Sequence, residues 1–192
     1  MDAEFSVVSL ANSSSLVYGV YMRHTLNGNS PMYMALSVLA LLLVAVTMGL
    51  SLAHALEFPG KLRLDEPTYR AVQAIYYPGF TIGGLVGELG GMIFLAVLLF
   101  LTPTNTDKFW WTVAALALMI LVHATYWVVT HPVNSAWLKD TQLGGASQFF
   151  FVLFSTQGAD WRHMRSVWEW SHVARACFAT FSFLSMTMAI TR

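Results

Sequence analysis

The sequence predicts an all-α integral membrane protein, a four-helix transmembrane bundle with an interfacial segment in its third loop. Three observations carry this reading. Hydrophobic residues make up 56% of the 192 and charged residues 10%, with a mean hydropathy of +0.58, a composition that no water-facing surface tolerates. Four windows almost free of charge reach the roughly 20 residues that a helix needs to cross a bilayer core. Each is continuous rather than alternating, which excludes the roughly 10-residue strands of a membrane barrel.

The elements follow in order. Residues 1–32 carry Asp2 and Glu4 where a secretory signal would be basic, and their apolar runs are broken by Asn12-Ser13-Ser14-Ser15. They read as an extramembrane or interfacial lead-in. Met34 to Ala53 carries no charge and centres a first span over about 33–57. Tyr77 to Leu101, with only Glu88, centres a second over about 77–102, and Phe109 to Thr130, with only His123, a third over about 109–130. The fourth, about 167–190, holds Glu169, His172 and Arg175 in its first third. In the third loop Phe149-Phe150-Phe151-Val152-Leu153-Phe154 is apolar but too short to span, which suits an interfacial or re-entrant segment. Trp137, Trp161, Trp168 and Trp170 around it read as an aromatic belt at the headgroup level. Residues 33–192 thus form one transmembrane domain.

The loops after the first and third spans share one side and hold Lys61, Arg63, Arg70, Lys139, Arg162 and Arg165; the other side holds Arg23, Lys108 and Arg192. The excess of basic residues in cytoplasmic loops places both termini on the non-cytoplasmic side. Ten basic and ten acidic residues cancel, so there is no electrostatic footprint for nucleic acid. The single cysteine, Cys177, excludes an internal disulfide and any paired-cysteine zinc site. A metal here has to be held by nitrogen and oxygen.

Titratable side chains at membrane depth cost several kcal/mol unless paired or liganded, so each is a candidate functional residue. They are His54, Glu57, Glu88, His123, Glu169, His172 and Arg175. His54 and Glu57 are three apart on the first helix and Glu169 and His172 three apart on the fourth, so each pair shares a face. The reversed order on antiparallel helices sets each glutamate nearer the loops and each histidine about 4.5 Å deeper. Glutamate should face glutamate, and histidine should face histidine. Two carboxylates and two imidazoles at matching levels are what a mixed nitrogen and oxygen metal site requires. Soluble di-iron bundles use a comparable set.

His54, Glu57, His123, Glu169 and His172 are therefore the candidate metal ligands, with Glu88 and Arg175 the candidate catalytic groups. Non-haem iron, mononuclear or dinuclear, is the first expectation, with copper or a haem b between two of the histidines as alternatives. Glu88 and His123 sit at less certain depth and fit either a completed site or a supporting one. Arg175 is equally suited to a buried ion pair with Glu88. His131 and His163 fall at loop boundaries and read as solvated; His24 carries no role. Gly83, Gly84, Gly87, Gly90 and Gly91 form a small-residue stripe around Glu88, suited to close helix packing or to leaving room for a substrate. Tyr76, Tyr77 and Tyr126 read as interface anchors, and the ten methionines as packing.

Two segments also carry a family resemblance. His54-Ala55-Leu56-Glu57-Phe58-Pro59-Gly60-Lys61-Leu62-Arg63-Leu64, followed by Tyr69 and Gln73-Ala74-Ile75-Tyr76, resembles the first helix exit of a family of small four-helix membrane proteins. Pro132-Val133-Asn134, then Asp160-Trp161, Arg165, Trp168-Glu169, His172 and Arg175 resemble its far end. That family includes the anthrone-oxygenase-like proteins, and most of its members have no assigned reaction. The resemblance, over most of the chain from about Tyr33, implies oxygenation of an activated aromatic ring, as in conversion of an anthrone to an anthraquinone. The anthrone enzymes themselves are regarded as needing no cofactor, whereas His54 and Glu57 suggest a metal-equipped branch. The expected function is a metal-dependent oxygenase acting with dioxygen on a lipophilic, aromatic substrate that enters sideways from the membrane lipid. The alternatives are a haem-b or quinone-linked electron carrier, and a non-catalytic subunit of a homo-oligomer or larger membrane complex.

Overall fold

A computed structural model describes residues 30–77, 79–138 and 160–192 of the chain. Residues 1–29 of the lead-in and the phenylalanine-rich segment of the third loop lie outside the described residues, and Pro31 and Met32 already belong to the first helix. Every element among those described is helical, and four of the helical stretches are long and apolar enough to cross a membrane. The chain is a multi-pass four-helix bundle.

Helix α1 (Pro31–Lys61) starts where the Ser30 side chain accepts the Tyr33 N–H at 3.1 Å and Pro31 occupies the first turn, a start that leaves few amide donors orphaned. Helix α2 (Glu66–Tyr76) lies in what the sequence presents as a loop. Asp65 caps it by accepting the Thr68 N–H, and Tyr69 and Gln73 form its buried stripe. Helix α3 (Gly79–Leu101) carries the glycines. Helix α4 (Asp107–Thr125), capped by Thr106, runs through a π-helical turn (Tyr126–Thr130) into α5 (His131–Leu138). Helix α6 (Trp161–Thr191) completes the bundle.

The third span therefore continues past Thr130, where its uncharged window ends, through Pro132 to Trp137. In the π-helical turn the His131 N–H reaches back to the Tyr126 carbonyl. This wider register just before the proline lets the helix pass a residue that has no amide donor. The fourth helix also begins earlier than its apolar window. Arg162 and His163 point outward, while Met164 and Trp168 are buried on the other side, so an amphipathic start extends an apolar span.

The four long helices form a ring in which α1 packs on α3 and α6, and α4 packs on α3 and α6. One end is a closed apolar core of Tyr33, Ala40, Val44, Leu95, Leu98, Ala115, Met119, Met186 and Ala189. Small side chains bring its helices close, and Ser182 donates across the interface to the Ala115 carbonyl at 2.8 Å. The loop-side end is closed by Tyr69, Val133, Trp137, Met164 and Trp168. Trp137 and Trp168 are thus core residues rather than members of a belt, with the Trp168 indole donating to Asn134 at 2.7 Å. Trp170 is 60% exposed on the outside of α6.

The glycine stripe divides between the two uses open to it. A Cβ on Gly87 would lie 2.7 Å from Thr47 Oγ1 and 3.2 Å from two backbone atoms of α1, and one on Gly90 would press on Leu43. These residues let α3 lie against α1. At Gly84 the nearest atom is Glu88 Oε1 at 3.9 Å, so that position opens onto the interior space described below. Gly87→Ala is expected to lower unfolding stability in detergent by about 1–3 kcal/mol, because helix backbones have to separate. Gly49→Ala, at an exposed site with nothing within 4 Å, should be neutral or stabilising. Equal stability of the two variants in a thermal or denaturant series would refute close approach at Gly87.

Candidate functional site

Between the two cores lies a cavity of about 480 Å3, lined by residues of α1, α3, α4, the π-helical turn, α5 and α6, with Tyr76 and Tyr77 at its loop-side end. Leucines, Phe80 and Trp127 make much of its wall, and His54, Glu88, His123, His172 and Arg175 converge on it. Leu85 and Trp127, on the α3 and α4 sides, are 59% and 37% exposed. The cavity therefore borders the membrane-facing surface between these two helices.

Glu88 and Arg175 form the buried ion pair that the sequence allowed, both almost inaccessible. The other Glu88 oxygen lies 3.1 Å from His123 Nδ1. Trp127 Nε1, which can only donate, reaches His123 Nε2 at 2.9 Å. That nitrogen must therefore accept, and the His123 proton sits on Nδ1, directed at Glu88. On the far side, Arg175 NH1 stands 3.4 Å from His172 Nε2, and His172 Nδ1 donates to the Trp168 carbonyl at 2.9 Å. One hydrogen-bonded line thus runs Trp127, His123, Glu88, Arg175, His172, Trp168, while the buried Arg175 Nε has no partner among the described residues. Arg175 also lies over the Tyr126 ring, 5.2 Å from its centroid, a favourable contact for a desolvated cation.

His54 and His172 do face each other, with ring centroids 4.4 Å apart at 71°. The glutamates beside them do not. Glu57, 42% exposed, takes Lys61 Nζ at 2.9 Å and the Tyr76 hydroxyl at 2.5 Å. Glu169, fully buried, accepts from the Tyr69 hydroxyl at 2.8 Å. Among the described residues no three His, Cys, Asp or Glu side chains come together where they could hold a metal ion. Three residues along a helix turn the side chain by about 60°, and that rotation carries each carboxylate out of the bundle interior onto α2 or the end of α1. The contact of His54 with His172 leaves no space for a haem between these two rings.

Several participants escaped the sequence reading. Lys61, counted there as a loop charge, is only 4% exposed and sits beside His54, Glu57, Tyr76 and Trp168. Its signal was available, since residues 54, 57 and 61 lie on one helix stripe. His131 is fully buried, 3.3 Å from the Tyr126 hydroxyl, rather than solvated. Tyr76, Tyr77 and Tyr126 line the cavity rather than anchoring an interface. Burial foremost, then the bond to Glu57, raises the Tyr76 hydroxyl well above the ordinary phenol range, so it remains a donor at neutral pH. Burial and Glu169 do the same for Tyr69.

Comparison with protein-family models, curated proteins and solved structures finds no match to this chain. The site therefore stands on its geometry.

Removing one partner of a buried ion pair strands the other. Arg175→Met is expected to lower stability by about 3–5 kcal/mol, and Arg175→Met combined with Glu88→Leu to recover part of that loss. A double variant less stable than Arg175→Met in detergent unfolding would show that the pair is not the controlling interaction.

Proposed function

We propose that this chain is a membrane-embedded oxidoreductase that oxygenates a lipophilic aromatic molecule inside the intramembrane cavity. The observation that carries the reading is an apolar chamber at membrane depth on whose wall His54, His172, Arg175, Glu88 and His123 converge. Ionisable groups held at such depth are rarely structural alone, and a largely apolar pocket with a few aimed polar groups is the ordinary form of a small-molecule site. The exposed flank at Leu85 and Trp127 supports entry from lipid rather than water.

In this reading His172 is the base. Its Nδ1 proton is held by the Trp168 carbonyl, which leaves the Nε2 lone pair directed at Arg175. A substrate acid approaching Nε2 replaces the long 3.4 Å contact with Arg175, and the guanidinium remains beside the anion that forms. Glu88, bonded to Arg175 and to His123, keeps the guanidinium in place. For a methylene between two aromatic rings the overall reaction consumes one dioxygen. One oxygen atom becomes the ring carbonyl and the other leaves as water with both methylene hydrogens.

The arrangement supports acid–base chemistry on the substrate more directly than an iron or copper centre, because the glutamates are engaged by Lys61, Tyr76, Tyr69, Arg175 and His123. Elemental analysis and an absorption spectrum of detergent-purified protein, with oxygen uptake on addition of anthrone, test both parts. The expected result is uptake that Gly84→Leu and His172→Gln abolish in folded protein, with neither stoichiometric metal nor a Soret band. Stoichiometric iron or copper without a Soret band would restore the metal-dependent form, and a Soret band would replace this reading with an electron carrier. Saturable binding of anthrone without oxygen uptake would refute oxygenation. The same reading places both termini on the non-cytoplasmic side, and a reporter fused after Arg192 that is active only in the cytoplasm should be silent.

A further inference from the structure

Lys61 is a buried charge that the proposed chemistry leaves unused. It does not line the cavity, yet its Nζ lies 3.5 Å from His54 Nδ1, 2.9 Å from Glu57, and over the rings of Tyr76 and Trp168 at 4.6 and 4.9 Å. An ammonium has three donors and no acceptor. Toward Lys61, then, His54 Nδ1 can only be the accepting nitrogen, and the single proton of a neutral ring sits on Nε2. Nδ1 faces Lys61 and Glu57, neither of which borders the cavity, so the Nε2 edge is left for the cavity wall and for His172. His172 has the opposite arrangement, because the Trp168 carbonyl holds its proton on Nδ1. Phe80 and Trp168 pack against the His54 ring, Tyr76 meets it edge-on, and the Arg175 guanidinium beside His172 is paired with Glu88.

We infer that Lys61 is a positioning residue that makes His54 the cavity's hydrogen-bond donor opposite His172 as its acceptor, a pairing that recognises a carbonyl conjugated through an aromatic ring with an acidic C–H. This rests on the cavity being the reaction site. The carbonyl oxygen accepts from His54 Nε2–H, while His172 Nε2 faces the acidic hydrogen. When that bond breaks, the proton passes to His172 Nε2 and the electron pair moves to the carbonyl oxygen, beside His54 and Arg175. Glu57 keeps the ammonium in place, which explains a carboxylate that faces away from the cavity.

The test is nitrogen NMR of the full chain in detergent with 15N-labelled histidine, His54→Gln and His172→Gln identifying the two signals. The wild-type spectrum should show the His54 proton on Nε2 and the His172 proton on Nδ1. The reverse at either ring overturns the inference, whether or not any variant folds. Lys61→Met should move the His54 proton to Nδ1, because Glu57 Oε2, 3.9 Å away, is then the nearest charged partner; Lys61→Arg should preserve the wild-type pattern. An unchanged His54 signal in Lys61→Met removes the role assigned to Lys61. Added anthrone should shift both histidine signals and anthracene, which has no carbonyl, neither; equal shifts refute the recognition. With anthrone turnover, Lys61→Met should lower kcat about tenfold to a hundredfold at nearly constant KM. The predicted proton positions with no oxygen uptake would refute oxygenation alone.

Discussion

The ion pair between Glu88 and Arg175 is the constraint around which the bundle is arranged. A carboxylate or a guanidinium alone in hydrocarbon is costly enough that a helix carrying it would insert poorly. Paired, the two tie the middle of α3 to the middle of α6, and His123 on α4 joins through the second carboxylate oxygen. Three of the four spans thus share one electrostatic centre. Around it side chains cannot pack as tightly as leucine on alanine, because the polar groups need their hydrogen-bond directions kept open. The cavity lies at that centre, with apolar packing to one side and aromatic packing to the other.

What closes the loop-side end is the amphipathic helix α2. Tyr69 inserts fully among Trp137, Trp161 and Trp168 and donates to Glu169, while Arg165 reaches the carbonyls of Leu62 and Leu64. A buried glutamate that looks like a metal ligand along the chain is in this way a fastening for the connection between the first two spans. The other outlying glutamate, Glu57, fastens Lys61 and Tyr76. Both carboxylates therefore act on the cavity indirectly, through the aromatic and histidine residues they hold.

The π-helical turn has a comparable effect on the third span. By widening the helix at Tyr126–Thr130 it carries the chain past Pro132 and sets Tyr126 and Trp127 on the cavity wall. Asn134 then stands where it can accept the Trp168 indole proton. A straight α-helix ending at Thr130 would have left that indole, and the floor of the cavity, without support.

The sequence by itself determined the four membrane-spanning helices and the short set of residues on which chemistry can rest, because apolar length and intramembrane charge are local properties of the chain. Antiparallel order and a shared level were enough to bring His54 to His172, and the cost of lone charges was enough to suggest Glu88 with Arg175. Only the tertiary structure decided where the remaining carboxylates went. A spacing of three names a helix stripe but leaves a rotation of about 60°, and whether that turns Glu57 and Glu169 toward the interior depends on what neighbouring helices offer. Here α2 offered Tyr69 and Tyr76, and the last turn of α1 offered Lys61. Hydrogen-bond direction, which assigns donor and acceptor roles to the two facing histidines, depends on those same neighbours and so is not written along any one helix.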